Sequence, residues 1–411
     1  MRRMGPSSLF GSRLIGAACA TLVAVAAAPL ADDSAAARPP ARNPQQTAAP
    51  DSLTEQILRG RKLVLDHACS GCHSGRQGPR DPAAQGYLAG SSGPEGEFRV
   101  GQFTMRPRNL TPDTETGIGR FTDRQIFNAL RFGLQPSETA DVEITSTTPG
   151  QGHFPVTPKF LGPPMPWPAW RHMSDQELWD IAAYLKHGLK PVRNLVPESD
   201  RPGRFWAGYY AARIGPHPAN PFPTVHEVAS AAADSQVLRG RALVIHHDCG
   251  GCHGGGDNPA REGWLAGART PADTFQFDSF STRPRNLTPD NTTGLGRFSE
   301  RQIFNALRFG LRPGETPDVE ITSMTPGAGN FPLRPKYLAP PMPWPAWRHM
   351  TDRELHDIAA YLKRGVKPVS NRVQDSDGPP DFWAGLYTLD RIGPYPASPF
   401  PTSNEVARPP R

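Results

Sequence analysis

The sequence predicts a mainly α-helical protein made of two like domains in series, each of about three short helices joined by long ordered loops. Three observations predict it: a duplication that runs through most of the chain, helical patterns with explicit start and stop signals in each copy, and a heavy load of proline and glycine.

The duplication is direct. Arg106 to Leu134 matches Arg283 to Leu311 with five differences in 29 positions, and Leu161 to Gly188 matches Leu338 to Gly365 with five differences in 28. The tails repeat as well: Phe205-Trp206-Ala207-Gly208 recurs as Phe382-Trp383-Ala384-Gly385, and Arg213-Ile214-Gly215-Pro216 as Arg391-Ile392-Gly393-Pro394. A period of roughly 178 residues is far longer than a solenoid repeat of 20–50 residues, so the pattern predicts a tandem of two complete domains.

Each copy reads as three helices. The first covers roughly 54–67, with Ile57, Leu58, Leu63 and Val64 on an apolar stripe interrupted by Gly60; the second copy keeps that glycine as Gly240. Glycine inside a helix costs stability relative to alanine, so its recurrence points to a packing reason. The second helix starts at a capping box, Thr122 with Gln125, and stops at Gly133; Ser299, Gln302 and Gly310 repeat both signals. The third starts at Ser174 with Glu177, carries Leu178, Ile181, Ala182 and Leu185 on one face, and stops at Gly188 with Pro191 beyond; Thr351 and Glu354 repeat the start. No hairpin signal stands out.

The 48 prolines and 40 glycines among 411 residues argue against long uninterrupted elements. Small domains built largely of loops lack apolar surface to bury and need a staple, a metal or a cofactor. The formal charge of +6 falls to +3 if Arg2, Arg3 and Arg13 leave with an export leader, and no Lys/Arg cluster is dense enough for nucleic acid.

Residues 1–30 read as a signal peptide: a basic start, an apolar run from Leu14 and small residues at 24–28. The alternative is an uncleaved anchor giving membrane association. Residues 31–51 read as a disordered Ala/Pro/Gln-rich spacer, 52–230 as the first domain with an aromatic and Pro-rich tail, and 231–411 as the second with an equivalent tail.

Cys19 goes with the leader, and the other four cysteines form two pairs. Cys69-Ser70-Gly71-Cys72-His73 and Cys249-Gly250-Gly251-Cys252-His253 set two thiols on one turn, spaced to reach the two vinyl groups of one haem, with the following histidine beneath the iron. A lone C-x-x-C is equally a disulfide or a zinc site. The histidine after both pairs, in an exported chain, points to covalent haem at Cys69, Cys72, Cys249 and Cys252, hence two haem c groups with His73 and His253 as axial iron ligands.

With Arg-Gly-Arg-x-Leu-Val leading into CxxCH and Ile-Ala-Ala-Tyr-Leu-Lys closing each copy, each repeat resembles a small cytochrome c domain. The resemblance covers roughly 54–190 and 234–367. It implies that the first and third helices cross closely at Gly60 and Gly240, opposite 182–184 and 359–361. Asn-Leu-Thr-Pro-Asp (109–113, 286–290) and Pro-Pro-Met-Pro (163–166, 340–343) look like the multihaem cytochrome subunits of periplasmic alcohol and aldehyde dehydrogenases. Those subunits often carry three haems, where this chain has two motifs.

For the sixth ligand, Met105 aligns with Thr282 and does not serve both copies. Met165 and Met342 sit in proline-stiffened loops, the kind of segment where the family places its axial methionine; Met173 and Met350 are the alternative, though stapling contacts on Leu178 and Leu355 account for them. His/Met ligation on both irons leaves no open position and suits outer-sphere electron transfer. Arg106, Arg108, Arg283 and Arg285 are open between propionate partners and solvated loop residues. His172 and His349 read as loop residues, and no catalytic cluster stands out.

The expected function is electron transfer in the periplasm, from a dehydrogenase donor to a cytochrome or oxidase acceptor. The rivals are a dihaem redox enzyme of thiosulfate dehydrogenase or peroxidase type, and a membrane-tethered cytochrome.

Overall fold

The computed structural model describes residues 52–74, 85–93, 96–100, 103–199, 203–210, 214–254, 258–277, 280–376, 383–385, 387–397 and 402–406. The leader and spacer expected at 1–51 lie outside the described residues. None of the described helices is long and apolar enough to cross a membrane.

The fold is mainly helical, and from the first helix through the third capped helix the two halves present the same order of elements. The first half runs α1 (Leu53–Asp66), α2 (Cys69–His73), a short hairpin β1 (Phe98–Val100) and β2 (Phe103–Met105), α3 (Asp123–Phe132), α4 (Trp167–Trp170), α5 (Asp175–Ala183) and α6 (Gly203–Tyr210). The second runs α7 (Ser235–His246), α8 (Cys249–His253), β3 (Phe275–Phe277), β4 (Phe280–Thr282), α9 (Glu300–Phe309), α10 (Trp344–Trp347) and α11 (Asp352–Ala360). The two antiparallel hairpins, with Phe98 opposite Met105 and Phe275 opposite Thr282, were not expected. Strands of three residues are too short for alternation to show in a sequence.

The capping boxes at Thr122/Gln125 and Ser174/Glu177, and their copies, are all formed. A further box, Ser52 with Glu55, starts α1 one residue earlier than its apolar stripe suggests. Gly133 and Gly310 end α3 and α9 in the left-handed conformation, at φ 66° and 68°. A single π turn continues α5 to Gly188 and α11 to Gly365.

The first and third helices cross backbone to backbone in each half. A Cβ at Gly60 would lie 1.7 Å from the Asp180 carbonyl oxygen, and one at Gly240 would lie 1.8 Å from that of Asp357. Arg59 and Arg239, one residue earlier, reach the buried Asp180 and Asp357 carboxylates with paired bonds of 2.7–3.1 Å. Bidentate pairing of this kind fixes the helix rotation as well as its position.

Buried apolar side chains fall into two clusters, one within residues 64–210 and one within 237–387. The aromatic tails belong to them. Tyr210 lies edge-on to Trp167 with ring centres 4.7 Å apart, and Tyr387 stands likewise to Trp344 at 4.9 Å. Each tail thus closes the core behind the Pro-Pro-Met-Pro loop.

Pro50 to Arg411 nevertheless form one compact unit. At the centre of the contact between halves, His67 and His247 face each other with ring centres 4.5 Å apart, flanked edge-on by Trp170 and Trp347. Lys62 bridges to Glu354 at 2.7 Å, and the His172 ring lies 3.8 Å from that of Phe222. The end of each tail crosses over: Glu227 bonds Tyr361 and Arg241 of the second half, and Glu405 bonds Tyr184 and Arg61 of the first.

Two predictions follow from this packing. Gly60→Ala or Gly240→Ala forces α1 off α5, or α7 off α11, and destabilises by about 3 kcal/mol or more, at the upper end of overpacking costs; chemical denaturation measures it. Burial, then the neighbouring His246 and Lys62, pushes His247 down to about 3, and burial with the charge of His247 holds His67 well below its ordinary value. Both are neutral when folded and titrate near about 6.5 when unfolded, so the unfolded chain binds more protons in acid. Stability present above about pH 6.5 is therefore lost as pH falls toward 4, and the thermal midpoint follows. His67→Phe with His247→Phe flattens that slope.

Candidate functional site

Each CxxCH segment is a single helical turn entered through a left-handed residue, Ala68 at φ 53° or Asp248 at φ 51°. That kink lets the turn follow directly on α1 or α7. The four cysteines are not in disulfides. Burial pushes the Cys69, Cys249 and Cys252 thiols up to about 12, so each carries its proton at neutral pH.

The two histidines are held alike. His73 Nδ1 lies 2.8 Å from the Arg108 carbonyl oxygen, and His253 Nδ1 lies 2.7 Å from that of Arg285. A carbonyl only accepts, so Nδ1 carries the proton and Nε2 presents its lone pair. Burial is the larger influence on both and favours neutral imidazole, though the carbonyl works in the opposite direction. A neutral imidazole with Nδ1 tied back is the form that binds a metal through Nε2.

The next residue explains why the carbonyl stays in place. Buried Asn109 donates from Nδ2 to the Val192 carbonyl at 2.8 Å and to Thr116 Oγ1 at 3.1 Å, while its Oδ1 accepts from the Thr111 backbone N–H and hydroxyl. Asn286, Thr288, Thr293 and Val369 repeat the set. From the other side, Asn194 and Asn371 donate to the Ala89 and Ala266 carbonyls. The Asn-Leu-Thr-Pro-Asp segment is therefore a brace for the histidine.

The methionine loops are pinned at both ends. Leu161 N–H donates to the Gly133 carbonyl at 2.6 Å, and α4 restarts the chain at Trp167, so Met165 is held on a short span between fixed ends. Leu338, Gly310 and α10 do the same for Met342. Trp167 stacks on Phe160 and lies against Gly133, where a Cβ would meet the indole at 2.1 Å. Met165 and Met342 are half-buried at the edge of their cores. Met173 and Met350 are buried to 3 % exposure, and their carbonyls accept from Arg131 and Arg308 at 2.8 Å.

Met105 has a packing role: its Cε occupies the space that a Cβ on Gly162 would need. In the second half Thr282 takes its place, hydrogen-bonds the Pro340 carbonyl, and faces Ala339 in place of glycine. The loop arginines all have protein partners, and Arg108 and Arg285 remain partly exposed. Arg106 bonds Glu97 and the Glu198 carbonyl, Arg108 the Pro197 carbonyl and Glu198, and Arg285 the Gln374 carbonyl and Asp375. Arg283 reaches the Asp375 carbonyl at 2.6 Å.

The donor set fits haem c. Each half offers two cysteines outside any disulfide on one turn, an imidazole presenting Nε2, and a thioether on a stiff loop. The indole N–H groups of Trp167 and Trp344 are buried without an acceptor among the described residues, and haem carboxylates are acceptors.

Asn109→Ala removes the brace and leaves the buried Thr111 backbone N–H without its acceptor, while the Val192 carbonyl keeps only the Thr111 hydroxyl. We expect a loss of about 1–3 kcal/mol, in the range for an unsatisfied buried polar group, measured by denaturant unfolding.

Comparison with known proteins points to cytochrome c. Residues 57–188 match the family model for cytochrome c. The chain is 27% identical over 357 residues to the gluconate 2-dehydrogenase cytochrome c subunit of Pantoea cypripedii, covering 80% of this chain and 64% of that one. It is 25% identical to the cytochrome c subunit of alcohol dehydrogenase (quinone) of Gluconacetobacter polyoxogenes, over 76% of this chain and 57% of the relative. A diheme cytochrome c-type protein of Cereibacter sphaeroides is 26% identical over 36% of this chain and 39% of its own length. The chain thus spans less than two thirds of the length of the dehydrogenase subunits it resembles.

Proposed function

Since the chain carries a cytochrome c domain over residues 57–188, we propose that it is a dihaem electron carrier of tandem design, with a second such domain in residues 231–411. The observation that carries this reading is the matched pair of histidine settings, His73 on the Arg108 carbonyl and His253 on the Arg285 carbonyl, each one residue beyond a pair of cysteines outside any disulfide.

In this reading Cys69, Cys72, Cys249 and Cys252 form the thioether links, and His73 and His253 bind iron through Nε2. Haem c supplies a one-electron ferric/ferrous couple. Met165 and Met342 would hold each iron from the methionine loops, where a thioether would favour the ferrous state and raise the potential. With both irons so held, the group would supply electron transfer rather than substrate binding. The carbonyl bond at Nδ1 fixes each imidazole's rotation, so little reorganisation accompanies a change of charge.

Relatives named as cytochrome subunits of gluconate and alcohol dehydrogenases support a dehydrogenase as electron donor and a downstream cytochrome or oxidase as acceptor. The leader supports export to the periplasm. The matched ligand sets favour a carrier over a dihaem enzyme with inequivalent irons.

A pyridine haemochrome assay on the exported protein should give two haems per chain; one or none overturns the reading. Met165→Ala and Met342→Ala should each turn one haem high-spin and lower its potential, read by absorption and redox titration. Met173→Ala should cost stability and leave the spin state unchanged. The reverse pattern would move the axial role to Met173 and Met350.

A further inference from the structure

The ends of the two tails make the same contacts on opposite halves. Thr224–Val228 lies along the second half beyond α11. Lys367 N–H donates to the His226 carbonyl at 2.8 Å and Val228 N–H to the Gly365 carbonyl at 2.9 Å, with Glu227 paired to Val366 as an antiparallel bridge. Thr402–Val406 lies along the first half beyond α5. Lys190 N–H donates to the Asn404 carbonyl at 2.8 Å and Val406 N–H to the Gly188 carbonyl at 3.0 Å, with Glu405 paired to Leu189.

The side chains match as well. Glu227 accepts from the Tyr361 hydroxyl and from Arg241 Nε, both at 2.7 Å; Glu405 accepts from Tyr184 at 2.9 Å and from Arg61 at 2.5 Å. The ammonium groups of Lys367 and Lys190 donate to the Val225 and Ser403 carbonyls. Each strand begins with the same small turn, Glu227 N–H to the Thr224 carbonyl and Glu405 N–H to that of Thr402, both 2.9 Å. Within each segment the glutamate alone is fully buried, at 7% and 6% exposure. Backbone pairing recognises an extended strand of almost any sequence, and a buried carboxylate clasped by arginine and tyrosine demands one particular side chain.

We propose that these two grooves are one peptide-binding site present twice, specific for an extended segment of the form T-x-x-E-V, and that the two sites are filled in a circle. The strand after the first half's aromatic tail seats on the second half, and the strand after the second half's tail returns to the first. A head-to-tail arrangement of two units that closes in this way is a ring, with no groove left for a third unit. The intervening residues, Val225-His226 in one strand and Ser403-Asn404 in the other, differ without disturbing any backbone bond, so the strands are interchangeable. This inference concerns the chain's own surfaces and stands apart from the haem assignment, whose test is haem content.

The test uses the full chain. S403V with N404H writes the first strand's sequence into the second position; its thermal midpoint should equal the parent's. Glu405→Ala and Glu227→Ala should each lower the midpoint by several degrees. Millimolar synthetic peptide spanning residues 223–230 should restore the Glu405→Ala protein, with the range set by the effective concentration of a tethered strand. The same peptide with alanine for glutamate should not. The proposal falls if the S403V/N404H protein loses as much stability as Glu405→Ala, if Glu405→Ala leaves the midpoint unchanged, or if the two peptides act alike. Should Glu405→Ala fail to fold, the S403V/N404H comparison with the parent still decides interchangeability, and haem content measured alongside reports separately on the proposed function.

Discussion

Backbone meets backbone where α1 crosses α5, and the rest of each half is built outward from that contact. Gly60 lets the Asp180 carbonyl approach to a distance that no side chain would allow, and Gly240 does so for Asp357. The approach sets where α1 ends, and the left-handed residue after it aims the CxxCH turn. The Arg59–Asp180 pair then fixes rotation about the helix axis, so that His73 meets the Arg108 carbonyl.

The helices were legible because their ends are written in local chemistry. Thr122 with Gln125 and Ser174 with Glu177 are capping pairs that act within a single turn, and glycine stops act at one residue. The cofactor motif was legible for the same reason, being five consecutive residues. What the sequence did not disclose depends on partners far along the chain. The bracing role of Asn109 needs Val192, the partners of Arg106 and Arg108 lie near residue 198, and the opposition of His67 and His247 exists only once two halves dock. The hairpins were missed for their shortness alone.

Where the two halves differ, they conserve a function of shape rather than a residue. Met105 beside Gly162 becomes Thr282 beside Ala339, trading volume from one side of a contact to the other. Trp179 stacked on Phe127 becomes His356 stacked on Phe304, with ring centres 4.4 and 4.3 Å apart. Ring stacking tolerates such exchange because any planar π-face serves. The residues that brace the carbonyl at each histidine show no such drift: Asn109, Thr111 and Thr116 recur unchanged as Asn286, Thr288 and Thr293. A hydrogen-bond network with every donor and acceptor matched offers no neutral exchange.

The crossed strands also govern the order in which the molecule can be made. Arg61 and Glu405 are separated by 344 positions. Contacts of such long range form late, because the loop they close must first be brought together against its entropy. As the chain emerges from the ribosome, its first half has its helices and its CxxCH turn long before its final strand exists. The second half has its own strand, at Glu227, before its first helix is made. The half synthesised first is therefore the one completed last.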